Sequence, residues 1–123
     1  MQNIRRLAEM VVYVSSPYAA LLKEFGEFEG REKALKIARA GCRKVLEMGH
    51  LPLSPVLACD GVYDEATQRN EALNYSLEML KWCDGVLFVR CAFSALSVGM
   101  ILEENLANEL KKPIQEFEFK EIL

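Results

Sequence analysis

Apolar positions fall along this chain in two alternating rhythms. The runs Met10-Val11-Val12-Tyr13-Val14 and Val86-Leu87-Phe88-Val89 are short, uninterrupted and rich in β-branched and aromatic residues, as strands buried on both faces require. Between and after them, apolar residues recur at helical spacing. Over residues 31–48, Ala34, Leu35, Ala38, Cys42, Val45 and Leu46 form a broad apolar stripe, Arg31, Lys33, Lys36, Arg39, Arg43 and Lys44 supply a basic outer surface, and Gly49 is placed to stop the helix. Over 65–82, Ala66, Leu73, Leu77 and Leu80 repeat in the same way, and from Ser97 to Lys112 the residues Val98, Leu102, Leu106 and Leu110 share a face, with Gly99 among them and Ile101 and Ala107 near its edges. A second short strand ended by proline is expected over 50–57, a loop over 58–64, and a fourth strand from Pro113. In that last segment Phe117 and Phe119 alternate with charged residues, as in an edge strand or a packing tail. Strands alternating with helices predict an α/β fold.

Open parallel sheets bind ligands beyond the carboxyl ends of their strands, so the polar segments that follow the strands carry the candidate chemistry. Ser15-Ser16-Pro17-Tyr18 follows the first strand with hydroxyls and backbone N–H groups placed for a polar ligand; a plain Ser/Pro turn is the alternative. Ser97 stands where an N-cap belongs, Gly99 lets a ligand approach the first turn, and the free N–H groups of a helix start attract an anion. Glu103, one turn in and on the flank facing the sheet, is the best candidate for a reacting carboxylate, while Glu104 points almost opposite. An ordinary helix-flank Glu that reaches water past its stem is the competing reading. Tyr63 and Arg69 reach the same pocket if the 65–82 helix begins near the ligand end, and face solvent otherwise. His50, at a helix-to-strand junction, belongs to the opposite end and reads as structural. Residues 19–30, where Gly26 and Gly30 bracket acidic and aromatic residues, fit a mobile lid, a partner surface or an ordinary insertion.

Composition narrows the picture. With 123 residues, half of them hydrophobic, and a net charge of −3, the chain fits one weakly acidic domain, and these totals do not suggest a nucleic-acid binder. No apolar run approaches the roughly 18 residues a membrane span needs. Met1-Gln2-Asn3-Ile4-Arg5-Arg6 is followed by no signal-like apolar core, so a cytoplasmic location is expected. Cys42, Cys59, Cys83 and Cys91 form no C-x-x-C pair and have no matching His pattern, which indicates neither zinc nor a redox dithiol. Cys59 and Cys91 fall in predicted loops at one end of the sheet, where a reactive thiol is one reading.

Taken in order, Val12-Tyr13-Val14-Ser15-Ser16-Pro17-Tyr18, Gly49-His50-Leu51-Pro52-Leu53-Ser54-Pro55, Cys83-Asp84-Gly85, Ser97-x-Gly99-Met100-x-x-Glu103-x-x-x-Ala107 and Lys112-Pro113-Ile114 resemble the nucleoside 2-deoxyribosyltransferase-like superfamily, and within it the small DUF4406 and DUF7768 types. The resemblance implies a Rossmann-like (flavodoxin-like) three-layer fold around a parallel sheet of about four to five strands. It implies a nucleoside or nucleotide 2-deoxyribosyltransferase or N-glycosidase, with Glu103 as nucleophile and Ser15, Ser16, Tyr18, Ser97 and Gly99 against the substrate. It further implies a small-molecule nucleoside or nucleotide partner, no metal or dinucleotide cofactor, and a homodimer or larger homo-oligomer. Two departures stand out. Catalytic relatives carry an Asp eight residues ahead of the Asp of the Cys-Asp element, where this chain has Ser76. The first loop also lacks the Arg that phosphate-preferring relatives have near Ser16. Asp60, Asp64 and Glu71 are candidate replacements for the missing acid by rough location, and Asp84, at the amino end of its strand, is assigned a structural role. A non-catalytic nucleotide-binding or sensing module on the same fold is the alternative function.

Overall fold

The computed structural model describes residues 9–121; the amino-terminal hexapeptide weighed above as a signal lies outside them. In chain order the elements are β1 (Val11–Ser15), α1 (Ala19–Phe25), α2 (Glu27–Glu47), β2 (Leu51–Leu53), α3 (Pro55–Cys59), α4 (Arg69–Lys81), β3 (Gly85–Arg90), a single 3₁₀ turn (Ser94–Leu96), α5 (Val98–Glu109) and β4 (Ile114–Glu118). The strands form one four-stranded sheet in the order β2-β1-β3-β4, every neighbouring pair parallel. This is the Rossmann-like α/β architecture the sequence predicts. The chain leaves β1 toward one edge of the sheet and returns to the other side at β3, so the carboxyl ends of β1 and β3 flank the topological switch point where such sheets bind ligands.

Alternation along the strands divides the core into two layers. Val12, Val14, Leu87 and Val89 point to the face covered by α2, where they meet Ala34, Ile37 and Val45. Tyr13, Val86 and Phe88 point to the other face and pack with Leu80 of α4 and Met100 and Ala107 of α5. Gly41 lets α2 lie close on the sheet: a Cβ there would come within 2.7 Å of Val14 Cγ1 and Val89 Cγ2. The helix ends in a Schellman motif. Gly49 has φ +84°, its N–H donates to the Leu46 carbonyl, and the His50 N–H donates to that of Val45.

At the amino ends of the strands the two residues read as structural close the backbone. His50 Nδ1 accepts from the Met10 N–H at 3.0 Å, and Asp84 Oδ2 accepts from the Val11 N–H at 2.9 Å. β4 is, with β2, one of the two edge strands, and Phe119 is buried just beyond it.

The structure corrects the predicted elements in four places. Residues 19–30 form α1 and the start of α2, so the second helix begins at Glu27 and not at Arg31. Gly26, at φ +89°, separates the two helices, and Glu27 and Glu29 favour the new N-terminus. The second strand stops at Leu53, because Ser54 caps α3 by accepting from the Leu57 N–H at 3.2 Å and Pro55 takes the first helical position. The fourth helix starts at Arg69, since Asp64 first organises a turn: its Oδ1 accepts from the Ala66 N–H and its carbonyl from the Gln68 N–H. Finally, the residues of α5 buried against the sheet are Met100, Glu103 and Ala107, with Leu106, as expected, packed beside them. Val98, Leu102 and Leu110, expected on that face, are exposed.

α1 and α2 approach so closely at Gly30 that a Cβ would lie 2.5 Å from the Leu21 carbonyl oxygen and 2.6 Å from the Leu22 Cα. Backbone cannot give way as a side chain does. Gly30→Ala is therefore expected to lower the unfolding free energy in urea by about 1–3 kcal/mol, despite alanine's better helix propensity; an unchanged or raised midpoint would contradict this packing.

Candidate active site

Tyr13 and Ser15 are two residues apart on β1, so their side chains leave the same face of the sheet, the one under α5. Both hydroxyls end on Glu103. The Tyr13 hydroxyl donates to Oε2, and Ser15 Oγ donates to Oε1 at 2.7 Å. Glu103 is 5 % exposed, and Tyr13 and Ser15 are fully buried. The carboxylate is thus out of water and held at both oxygens, and the helix-flank position that would reach solvent is not the one it occupies.

Burial holds Glu103 up at about 7, against the opposing pull of the two hydroxyls and the Arg69 charge. The Tyr13 phenol lies well above its ordinary value, chiefly through burial and then through the neighbouring Glu103 charge. The shared proton therefore stays on the tyrosine, which acts as a donor. Near neutral pH Glu103 is poised between its acid and its carboxylate.

Above this pair opens a cleft lined by Ser16, Tyr18 and Ala19 after β1, by Pro55, Val56, Cys59 and Asp60 of and after α3, by Tyr63 and Glu65, by Arg69, Ala72, Leu73 and Ser76 of α4, and by Ser97, Gly99, Met100 and Glu103. Ser97 is the N-cap of α5, its Oγ accepting from the Met100 N–H at 3.2 Å, so the start of the helix, with N–H groups that have no intrahelical partner, borders the cleft. The Ser16 hydroxyl is buried within the lining with no hydrogen-bond partner. A buried hydroxyl in that state is a ready contact for a polar ligand.

Most residues singled out in the sequence meet here. Ser16, Tyr18, Ser97, Gly99 and Glu103 line the cleft, as do Tyr63 and Arg69. Ser15 does not: its hydroxyl is committed to Glu103, which makes it a holder of the carboxylate. Of the candidate replacement acids, Asp60 lines the cleft, while Asp64 organises its turn and Glu71 accepts from Gln68 Nε2 at 3.3 Å outside it. Ser76 lines the cleft at the position where the resemblance expects an acid, its hydroxyl donating to the Ala72 carbonyl.

Cys59 borders the cleft as a thiol pushed up by burial, and Cys91 lies outside it. Among the described residues no group of three or more His, Cys, Asp or Glu side chains converges as metal ligands would, and no helix is long and apolar enough to cross a membrane. The sequence reading missed Tyr13 and Glu65. A tyrosine inside a fully buried strand was the available signal for the first, because its hydroxyl requires a partner.

The model of the family described as "Domain of unknown function (DUF7768)" matches residues 10–117. No curated protein matches the chain. Among solved structures, the fold is similar to that of a 2-deoxyribosyltransferase from Bacillus psychrosaccharolyticus, with a TM-score of 0.57 and 21 % identity over 92 % of this chain and 76 % of that one.

The elevated Glu103 carries a stability consequence of definite sign. Between its ordinary 4.5 and about 7 the folded state binds more protons than the unfolded chain, so stability falls as pH rises through that window. Glu103→Gln removes the titration. Relative to wild type the variant is expected to gain stability progressively with pH, reaching about 3 kcal/mol above pH 7 and vanishing below about pH 4. Urea unfolding of both proteins across that range checks it, and a pH-independent difference would contradict the buried-carboxylate geometry.

Proposed function

The chain belongs to the DUF7768 family, and from that premise and the geometry of the cleft we propose that it acts on the N-glycosidic bond of a nucleoside or nucleotide, as a 2-deoxyribosyltransferase or N-glycosidase. The observation that carries this reading is the buried Glu103 carboxylate, fixed at both oxygens by Tyr13 and Ser15 and opening onto a polar cleft. Two hydroxyl donors set the direction of the carboxylate without neutralising it, which suits a nucleophile that must meet one carbon from one side.

In the reaction Glu103 attacks the anomeric carbon as the bond to the base breaks, giving a glycosyl ester. Water or a second base then takes the sugar from Glu103, with net retention at that carbon. Ser16, the Ser97-capped start of α5 and the open backbone at Gly99 hold the sugar or its 5′ substituent, and Tyr18 and Tyr63 border the space for the base. No metal or dinucleotide is needed for these steps. The fold shared with a 2-deoxyribosyltransferase supports the reading at the level of architecture.

One observation favours a second reading. Ser76 places a hydroxyl where a proton-donating carboxylate is expected, and general acid assistance is worth roughly 10²–10⁴ in rate. A chain without it would serve as a binding or sensing module for the same ligands. Incubation with a panel of deoxynucleosides, ribonucleosides and their monophosphates, read by chromatography of free base, separates the two. Base release by wild type and its loss in Glu103→Ala is the expected result. Ligand-induced thermal stabilisation without release from any compound would establish the binding module in its place.

We also assign the protein a homodimeric assembly through the outer face of α5. Val98, Ile101 and Leu102 lie together at helical spacing and are 62 %, 49 % and 36 % exposed. A second copy seated there would cover this apolar stripe. Light scattering at micromolar protein is expected to give a dimer, and Ile101→Glu with Leu102→Arg a monomer; a wild-type monomer would remove the assembly from the proposal.

A further inference from the structure

Besides Glu103 the cleft holds four oxygen acids, Asp60, Glu65, Tyr18 and Tyr63. Asp60 is clamped by Arg31, whose Nε and Nη2 each donate to one carboxylate oxygen at 2.7 Å. Those bonds hold it below the usual carboxylate range, so it remains ionised and both its oxygens are engaged. Tyr18 lies above the ordinary phenol value, through burial and then the charges of Glu65 and Asp60, and is a weak acid at neutral pH.

Glu65 differs from both. Its side chain is 25 % exposed and makes one ion pair, 3.4 Å to Arg69 Nη1. Burial raises its carboxyl above the ordinary value against the pull of Arg69. The same guanidinium acts on Glu103, lowering it, and its Nη2 would come within 3.8 Å of a Cβ on Gly99. One arginine thus acts on two carboxyls of a single cleft, one buried against the sheet and one partly exposed on the turn ahead of α4.

We propose that Glu65 delivers the proton to the departing base, in place of the carboxylate that Ser76 does not supply; this rests on the glycosyl-transfer reading above. As Glu103 bonds to the anomeric carbon, the electron pair of the breaking C–N bond passes to the base, and a base nitrogen takes the proton of the Glu65 carboxyl. In the return half, the Glu65 carboxylate accepts a proton from water or the incoming base as that nucleophile attacks the same carbon and the Glu103 ester bond breaks. Both carboxyls end as they began. A bound ligand removes the remaining solvent from Glu65 and so favours its acid form, while Glu103 keeps the two hydroxyl donors that favour its carboxylate.

The test uses the deoxynucleoside that wild type cleaves fastest and the same nucleoside N-methylated to a cationic base, which departs neutral and needs no proton. Glu65→Gln keeps the side-chain volume, and its melting temperature checks the fold. The expected result is a loss of about 10²–10⁴ in base release from the ordinary nucleoside, a loss under about tenfold from the methylated one, and loss of both in Glu103→Ala. Near-wild-type rates on both substrates, or equal loss on both, would overturn the role of Glu65 while leaving the glycosyl chemistry in place. A wild type that cleaves neither compound overturns the chemistry itself, and the role with it.

Discussion

A carboxylate taken out of water requires replacement partners, and this requirement at Glu103 organises the ligand end of the molecule. Removing an ionised carboxyl from solvent without compensation is worth several kcal/mol of destabilisation even after local relaxation. Tyr13 and Ser15 compensate it in part, and they do so because alternation along β1 sends both hydroxyls to the face that α5 covers. The residual imbalance appears as a carboxyl raised to about 7. A structural ion pair would be arranged to remove that imbalance. Here the carboxyl opens instead onto a cleft with an unpartnered hydroxyl and a capped helix start.

The same constraint sets the roll of α5. With Glu103 turned inward, Met100 and Ala107 share its face, and the small Ala107 lets the helix lie near the sheet. Val98, Ile101 and Leu102 are consequently left outside. The exposed stripe and the buried carboxylate are therefore two results of one helix rotation, which links the proposed assembly to the proposed chemistry.

The division of labour among the acidic residues follows from their neighbours and not from their type. Asp84 is tied to the β1 backbone through one oxygen and Asp60 to Arg31 through both, and each holds structure. Glu65 and Glu103 are the two cleft carboxyls that burial raises above the ordinary value, one partly exposed and one enclosed. Arg69 lies within electrostatic reach of both, and its charge lowers each of the two carboxyls.

The sequence by itself determined the parallel α/β architecture, because uninterrupted β-branched runs alternating with 3.6-residue periodicity admit few other packings. It also determined the Ser97 cap, the Gly49 stop and the end of the sheet to which His50 and Asp84 belong, since these depend on local backbone geometry. Local signals failed where one residue type serves two purposes: Ser54-Pro55 reads as the end of a strand or the start of a helix, and Gly30 as a loop residue or as a contact between two helices. Only the tertiary structure decided which face of α5 is buried. Periodicity assumes that apolar residues turn inward, and that assumption yields when a polar side chain finds donors inside, here on a strand 88 and 90 residues away in sequence. It likewise decided that Glu65, and not Asp64 or Glu71, faces the cleft, because a turn held by Asp64 sets where α4 begins and so which carboxylate points into the site.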